Sequence, residues 1–136
     1  MFLMQNPSLK ILVVEDNARF RDLLCEMLSI LGHAAIAAGS AEDCLELMRS
    51  QHIDVLLADI NLPGMSGIEL AGIAVKAIPG IRIIFASGYG YLVADKTDFD
   101  FILLPKPYGL SQLKEALEQI STRQPEASGS QQDSSK

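Results

Sequence analysis

The chain has 136 residues, of which 49% are hydrophobic, and it carries a formal net charge of −6 with a pI near 4.8. A chain of this length can bury the core of one domain without disulfides or structural metals, and its acidic balance, without a cluster of Lys and Arg, argues against a nucleic-acid partner. It contains no apolar run near the ~20 residues of a membrane span and no signal peptide at its start, which predicts a cytosolic protein without membrane contacts.

Five apolar segments of strand length are separated by stretches of helical periodicity. The predicted strands cover residues 9–14, 33–38, 53–58, 81–86 and 99–104. Because strand and helix alternate, we predict an α/β fold, a doubly wound five-stranded parallel sheet with helices on both faces and right-handed crossovers.

Apolar spacing and end signals mark the helices. The first is predicted over 20–31 and ends at Gly32, and the last is an amphipathic helix over 110–120. Capping-box patterns open the second and third helices, at Ser40 with Asp43 and at Ser66 with Glu69. A short, mobile fourth helix is predicted over 91–98, where periodicity is weak and glycines flank the segment.

These elements define one domain over 9–122. Residues 1–8 are predicted to form an N-terminal extension, and residues 123–136 a disordered polar tail, because the tail has no apolar face. We therefore expect a domain that stands alone, because the tail after Ile120 is too short and polar to form an output domain.

The cysteines and histidines do not predict a metal site. Cys25 and Cys44 fall on the apolar faces of predicted helices, so we expect them to be buried and reduced. His33 and His52 have no neighbouring ligand residues at zinc-site spacing.

Polar residues that follow the strands are predicted to meet at one edge of the sheet, because the carboxyl ends of strands one, three, four and five converge there. They are Glu15, Asp16, Asp59, Ser87 and Lys106. Taken singly, each could be a helix cap or a turn residue. Their coincidence at strand ends favours a shared site.

The residue types at this edge suit phosphoryl chemistry. Three clustered carboxylates repel one another unless a cation lies among them, and oxygen ligands favour a hard ion such as Mg²⁺. Lys106 adds a positive charge, and Ser87 adds a hydroxyl that can donate to an anion. We therefore predict that Asp59 acts as a carboxylate nucleophile and accepts a phosphoryl group.

On these residues, from about Leu9 to Ile120, the chain resembles the CheY-like receiver domains of bacterial response regulators. The resemblance implies the flavodoxin-like strand order 2-1-3-4-5. It implies that Asp59 is the phosphoacceptor, Ser87 the switch hydroxyl and Lys106 the family's invariant lysine. It also implies a Mg²⁺ site formed by Glu15, Asp16, Asp59 and the backbone carbonyl of Asn61, with Glu15 acting largely through water.

One position departs from the common receiver pattern. Receivers commonly carry Tyr or Phe three positions before the lysine, and here that residue is Leu103, which argues against signalling through an aromatic gate. The run Phe85 to Gly90 resembles a receiver subgroup with a Phe-Ala-Thr-Gly type motif and no aromatic switch residue. That resemblance implies partner kinases of the HWE/HisKA2 type.

Three other functions compete with this interpretation. A haloacid-dehalogenase-like phosphatase would need a second acid two residues after its nucleophile, where this chain has Asn61. A flavodoxin-like cofactor binder would need a first loop that cradles phosphate, and Glu15 with Asp16 would repel it. A degenerate receiver that acts only as a binding module is disfavoured by the complete residue set.

The expected function is that of a single-domain response regulator, a monomer or weak dimer, which takes its phosphoryl group from a histidine kinase or a histidine phosphotransferase. It would signal to a downstream protein, or relay the phosphoryl group, through the face formed by residues 88–98, the fifth strand and the last helix. Its own chemistry would be limited to its phosphorylation and dephosphorylation.

Overall fold

The computed structural model describes residues 8–88 and 97–122. The predicted N-terminal extension, apart from Ser8, and the predicted polar tail lie outside the described residues. So does the predicted helix over 91–98, apart from its last two residues, which are not helical.

Five strands and four helices alternate along the described chain. They are β1 (Lys10–Val14), α1 (Ala18–Ile30), β2 (Ala34–Ala38), α2 (Ala41–Ser50), β3 (Val55–Asp59), α3 (Gly67–Ala77), β4 (Arg82–Ser87), β5 (Ile102–Pro105) and α4 (Leu110–Thr122). The strands form one sheet in the order β2-β1-β3-β4-β5, and all neighbouring strands are parallel. The predicted fold class and strand order are confirmed.

The core has two layers because the central strands are apolar on both faces, as parallel sheets require. In β1, Leu12 and Val14 pack with α2 and α3 on one face. Ile11 and Val13 pack with α1 and α4 on the other face. The sheet is thereby covered on both sides, and its strand ends remain accessible only at the edges.

Every strand begins one to three residues later than the sequence predicts, and the last three strands also end one residue later. β3 and β4 each end one residue later than predicted, so Asp59 and Ser87 are the last residues of their strands. β5 begins at Ile102, which pairs with Ile84. The residues predicted to start it, Phe99 and Phe101, instead pack their rings near Phe85, at centroid distances of 6.3 and 5.2 Å.

Helix α1 is only partly buried. Asn17 caps its N-terminus by accepting a hydrogen bond from the Phe20 N–H at 3.1 Å. The N-cap of α1 is therefore Asn17 and neither Glu15 nor Asp16. Leu24 is buried, but the side chains of Phe20 and Leu23 are 60% and 50% exposed. The apolar stripe of α1 is therefore wider than the core it covers.

The two cysteines differ in burial. Cys44 is fully buried and packs in the core, as predicted. Cys25 packs against the core but is only half-buried, so it is less buried than predicted. Burial raises the pKa of Cys44 to about 12, which keeps it a neutral thiol.

The predicted caps of the second and third helices differ in completeness. Ser66 and Glu69 form a full capping box, in which each side chain accepts from the other residue's backbone N–H at 3.1 Å. Ser40 accepts from the Asp43 N–H at 3.1 Å. Both helices therefore begin where the sequence predicts.

A polar network fastens the amino ends of the strands. The Asp54 carboxylate accepts from the Lys10 N–H at 2.8 Å, and the Asp54 carbonyl accepts from the Arg82 N–H at 3.0 Å. The Arg82 side chain also donates to the Ile120 carbonyl near the end of α4. We call this network the amino-edge network. None of the described helices has an apolar stretch of the length that spanning a membrane requires.

Candidate functional site

Asp59 lies at the carboxyl end of the central strand and is 6% exposed. Its Oδ2 accepts a hydrogen bond from Lys106 Nζ at 2.9 Å. Its Oδ1 accepts from the Asn61 N–H at 3.1 Å. Both carboxylate oxygens are thus oriented by partners from the same rim of the sheet.

The acidic pair after β1 lies beside Asp59. Glu15 is 7% exposed, and its Oε2 accepts from the Asn17 N–H at 3.0 Å, while its Oε1 lies 3.7 Å from Lys106 Nζ. Asp16 is exposed. Glu15, Asp16 and Asp59 each place a carboxylate oxygen within 4.8 Å of the others, so the three can reach one ion.

The charges of this cluster do not balance. Burial raises the pKa of Glu15, and the neighbouring carboxylates of Asp59 and Asp16 raise it further, while the backbone N–H of Asn17 and the charge of Lys106 oppose the rise. For Lys106, burial lowers the pKa, but the hydrogen bond and charge of Asp59 and the other carboxylates outweigh it and raise the pKa. One ammonium against three carboxylates leaves negative charge that a divalent cation would neutralise. An all-oxygen donor set fits Mg²⁺.

The structure also locates the two remaining predicted residues. Ser87 ends β4 and is 2% exposed, and its carbonyl accepts from the Lys106 N–H at 3.0 Å. It lies one residue beyond Ala86, the partner of Asp59 across the β3–β4 pair. Asn61 is exposed and contacts Asp59 through its backbone N–H. The strand ends therefore bring together all the residues predicted at this edge.

Comparison with known proteins agrees with this arrangement. The family model of the response regulator receiver domain matches residues 11–118. The chain belongs to the response regulator receiver family. Receiver domains are signalling domains of two-component and phosphorelay systems rather than classical enzymes, which removes the phosphatase alternative.

Curated relatives include receivers within much longer proteins. The virulence sensor protein BvgS of Bordetella pertussis is 35% identical over 127 residues, which cover 85% of this chain but only 10% of BvgS. Sporulation initiation phosphotransferase F of Bacillus subtilis is 27% identical over 111 residues, covering 79% of this chain and 90% of that protein.

Solved structures share the fold. The response regulator TrrA of Thermotoga maritima, crystallised in complex with Mg²⁺ and beryllofluoride, superposes with a TM-score of 0.72 at 30% identity. The match covers 82% of this chain and 97% of TrrA. A receiver protein from Sinorhizobium medicae superposes with a TM-score of 0.76 at 25% identity, covering 83% and 94% of the two chains.

One residue that positions the receiver site was not identified from the sequence. Gly67, the first residue of α3, is buried and donates its N–H to the Ile60 carbonyl at 2.9 Å. A Cβ at this position would lie 2.9 Å from the Ile60 Cα and 3.0 Å from the Asp59 carbonyl carbon. A glycine directly after a Ser cap, where helix formers are usual, is the signal that could have revealed it.

A cleft of about 420 Å³ opens beside the receiver site, between α1 and the connection from β5 to α4. Glu15 and Lys106 form its polar side, and the exposed Phe20 and Leu23 lie on its apolar side. Tyr108 also lines it. Burial, followed by the charges of Glu15 and Asp59, raises the pKa of Tyr108 to about 12, so its phenol stays protonated at neutral pH.

We expect Glu15→Gln to stabilise the metal-free receiver at pH 7. The pKa of Glu15 is raised in the folded state, so ionisation of this side chain lowers the stability of the fold. This penalty is absent below the ordinary pKa and is complete once the pH has risen through the raised value. The variant should raise the midpoint of thermal unfolding by a few degrees at pH 7 without Mg²⁺. The difference should vanish near pH 4.

Calorimetry at both pH values, with the exposed Glu42→Gln as a matched control, measures this effect. The control should show no gain. A Glu15→Gln protein that unfolds at a lower temperature than wild type at pH 7 without Mg²⁺ would contradict the repulsion described above.

Proposed function

We propose that Asp59 accepts a phosphoryl group from a phosphohistidine of a histidine kinase or a histidine phosphotransferase. The observation that carries the proposal is the Asp59 carboxylate itself, 2.9 Å from Lys106 Nζ and within 4.8 Å of two further carboxylates. A nucleophilic carboxylate surrounded by cation-binding groups suits transfer of an anionic group.

In the proposed step, a carboxylate oxygen of Asp59 forms a bond to phosphorus while the bond from phosphorus to the donor imidazole breaks. The bonding electron pair remains on the imidazole nitrogen, and the product is an acyl phosphate. Lys106 shifts from Asp59 to the negative oxygens of the transferred group, and Ser87 donates its hydroxyl to the same group. Both side chains belong to residues at this rim, which supports these roles.

The groups proposed to hold Mg²⁺ are the side chains of Glu15, Asp16 and Asp59 and the backbone carbonyl of Asn61. When bound, Mg²⁺ supplies charge neutralisation for the oxygens of the transferred group. Oxygen donors alone, and an excess of negative charge, support this choice of ion.

The cleft beside the site supports a protein donor. A phosphohistidine that reaches Asp59 brings the surface around it against this rim, where Phe20 and Leu23 offer exposed apolar area. The run Phe85 to Gly90 and Leu103 resemble a receiver subgroup with partner kinases of the HWE/HisKA2 type, which favours a donor of that type. The proposed setting is the cytosol, where the thiols of Cys25 and Cys44 would stay reduced.

Phosphorylation is proposed to act through the face of β5 and α4 together with residues 88–98, as a shift between two existing conformations. The backbone bond from Lys106 N–H to the Ser87 carbonyl links the end of β4 to the end of β5, which supports this route. Leu103, the β5 residue three positions before Lys106, is half-buried against the core. If hydrogen exchange of the amides of residues 88–98 is identical with and without beryllofluoride and Mg²⁺, this part of the proposal is wrong.

Phosphotransfer profiling tests the main proposal. Purified histidine kinases of the HWE/HisKA2 and other classes are labelled with radioactive ATP and mixed with the chain, with Mg²⁺ or with excess EDTA added after kinase labelling. We expect rapid labelling by at least one kinase with Mg²⁺, and a loss of about 100-fold or more in rate with EDTA. Labelling that is indifferent to EDTA would overturn the metal's role, and no labelling by any kinase or by acetyl phosphate would overturn the function.

A further inference from the structure

Arg21 is a half-buried side chain of α1 that turns back onto the loop carrying the acidic pair. Its Nη1 donates to the Glu15 carbonyl at 2.9 Å. Arg21 lies one turn beyond the N-cap Asn17, whose carbonyl accepts the Arg21 backbone N–H at 2.9 Å. The guanidinium thus ties the first turn of the helix to the backbone between the two acidic side chains.

Gly39 provides the space for this guanidinium. A Cβ built on Gly39, which follows β2, would lie 2.9 Å from Arg21 Nη1 and 3.5 Å from its Cζ. Gly39 does not adopt a left-handed φ, so backbone conformation does not require glycine there. A Cβ there would instead displace the Arg21 guanidinium.

The backbone of Glu15 is held from both sides by this arrangement. Its N–H donates to the Ala38 carbonyl at 3.2 Å, and its carbonyl accepts from Arg21. Ala38 immediately precedes Gly39, so one short segment after β2 both bonds Glu15 and makes room for the arginine. The contacts fix the peptide that joins Glu15 to Asp16.

We propose that Arg21 is a positioning residue for divalent-cation binding, acting through the Glu15–Asp16 peptide. Gly39 contributes by leaving the space that the Arg21 guanidinium occupies. The inference rests on the proposed Mg²⁺ site. Arg21 bonds to the Glu15 backbone carbonyl rather than to a carboxylate oxygen, so the effect is one of orientation.

The sign of the effect separates positioning from simple electrostatics. Removing a positive charge near a cation site strengthens cation binding through Coulomb forces alone. Loss of a group that orients the ligands weakens it instead, typically by 10–100-fold for partners outside the coordinating set. Arg21→Ala is therefore expected to weaken Mg²⁺ binding by roughly tenfold, against the direction that its charge predicts.

The experiment measures Mg²⁺ dissociation constants by isothermal titration calorimetry for the full chain and four variants. The variants are Arg21→Ala, Gly39→Ala, the double variant and Arg19→Ala. Arg19 lies exposed on the same helix and serves as the control for charge, with binding expected to be unchanged or slightly tighter. Gly39→Ala moves only the far end of a flexible side chain, so the fold should tolerate it and Mg²⁺ binding should weaken by roughly threefold, less than for Arg21→Ala.

The double variant decides whether the two residues act together. If Gly39 acts by admitting the guanidinium, adding Gly39→Ala to Arg21→Ala should cause no further loss. Losses that multiply, or an Arg21→Ala protein that binds Mg²⁺ as tightly as wild type or more tightly, would overturn the inference. A wild-type chain that does not bind Mg²⁺ would instead overturn the proposed metal site itself, so the two failures are distinguishable.

Discussion

Asp59→Asn is expected to abolish phosphoryl acceptance and leave a folded protein. The amide cannot act as the carboxylate nucleophile, so labelling from kinase or acetyl phosphate should fall by at least about 1,000-fold. The single amide oxygen can keep only one of the two bonds, from the Asn61 N–H or from Lys106 Nζ, but the loss of one charge relieves repulsion with Glu15. Intact-protein mass spectrometry and labelling rates measure the loss, and circular dichroism verifies the fold.

Two controls make this prediction specific. The exposed Asp43→Asn, on α2, should accept phosphate like wild type. The label on wild type should be released by hydroxylamine, because an acyl phosphate is labile to it and a phosphoserine is not. Label that persists on Asp59→Asn, or that survives hydroxylamine on wild type, would move the acceptor to another residue such as Ser87.

Gly67→Ala should produce the largest loss of stability among the substitutions considered. The added methyl would lie within 3.0 Å of backbone atoms of Asp59 and Ile60, which cannot move aside as a side-chain tip can. Such overpacking costs about 3 kcal/mol of unfolding free energy, equivalent to a fall of about 10 °C in the unfolding midpoint. Because the clash is with Asp59 itself, the phosphorylation rate should fall as well.

Gly72→Ala is the matched control, in the same helix. A Cβ there meets nothing within 4 Å, and Gly72 lies in the helix interior, where alanine is favoured by about 0.5–1 kcal/mol. Denaturant titration should therefore show opposite changes for the two variants. Equal effects would mean that helix propensity, rather than the close approach to Asp59, governs position 67.

The sequence predicted the parts of the fold and site that depend on local pattern. Alternating apolar segments and helical stretches were sufficient to predict the parallel sheet, and the resemblance to receivers implied its strand order; both are confirmed. Residues at strand ends, such as Asp59 and Lys106, could be grouped because parallel strands all finish at one edge. The resemblance to receivers added the role of each residue, and those roles stay predictions.

Tertiary contacts account for what the sequence did not predict. Phe99 and Phe101 have strand propensity, but their rings pack near Phe85, so β5 begins only where pairing with β4 begins. The needs for Gly67 and Arg21 arise from close contacts with the loops that precede their helices, which hydrophobic periodicity does not reveal. Periodicity also does not distinguish a buried leucine on α1 from the exposed Leu23, since both lie on one wide stripe.

The amino-edge network has a consequence for how this protein can change. The carboxyl edge concentrates like charges, whereas the opposite edge joins three strands and α4 through Asp54 and Arg82. The two edges lie at opposite ends of the strands, so their contributions should add independently. Stabilising substitutions at the amino edge can therefore compensate for destabilising substitutions that increase reactivity at the carboxyl edge. This separation weakens the usual trade-off between stability and activity.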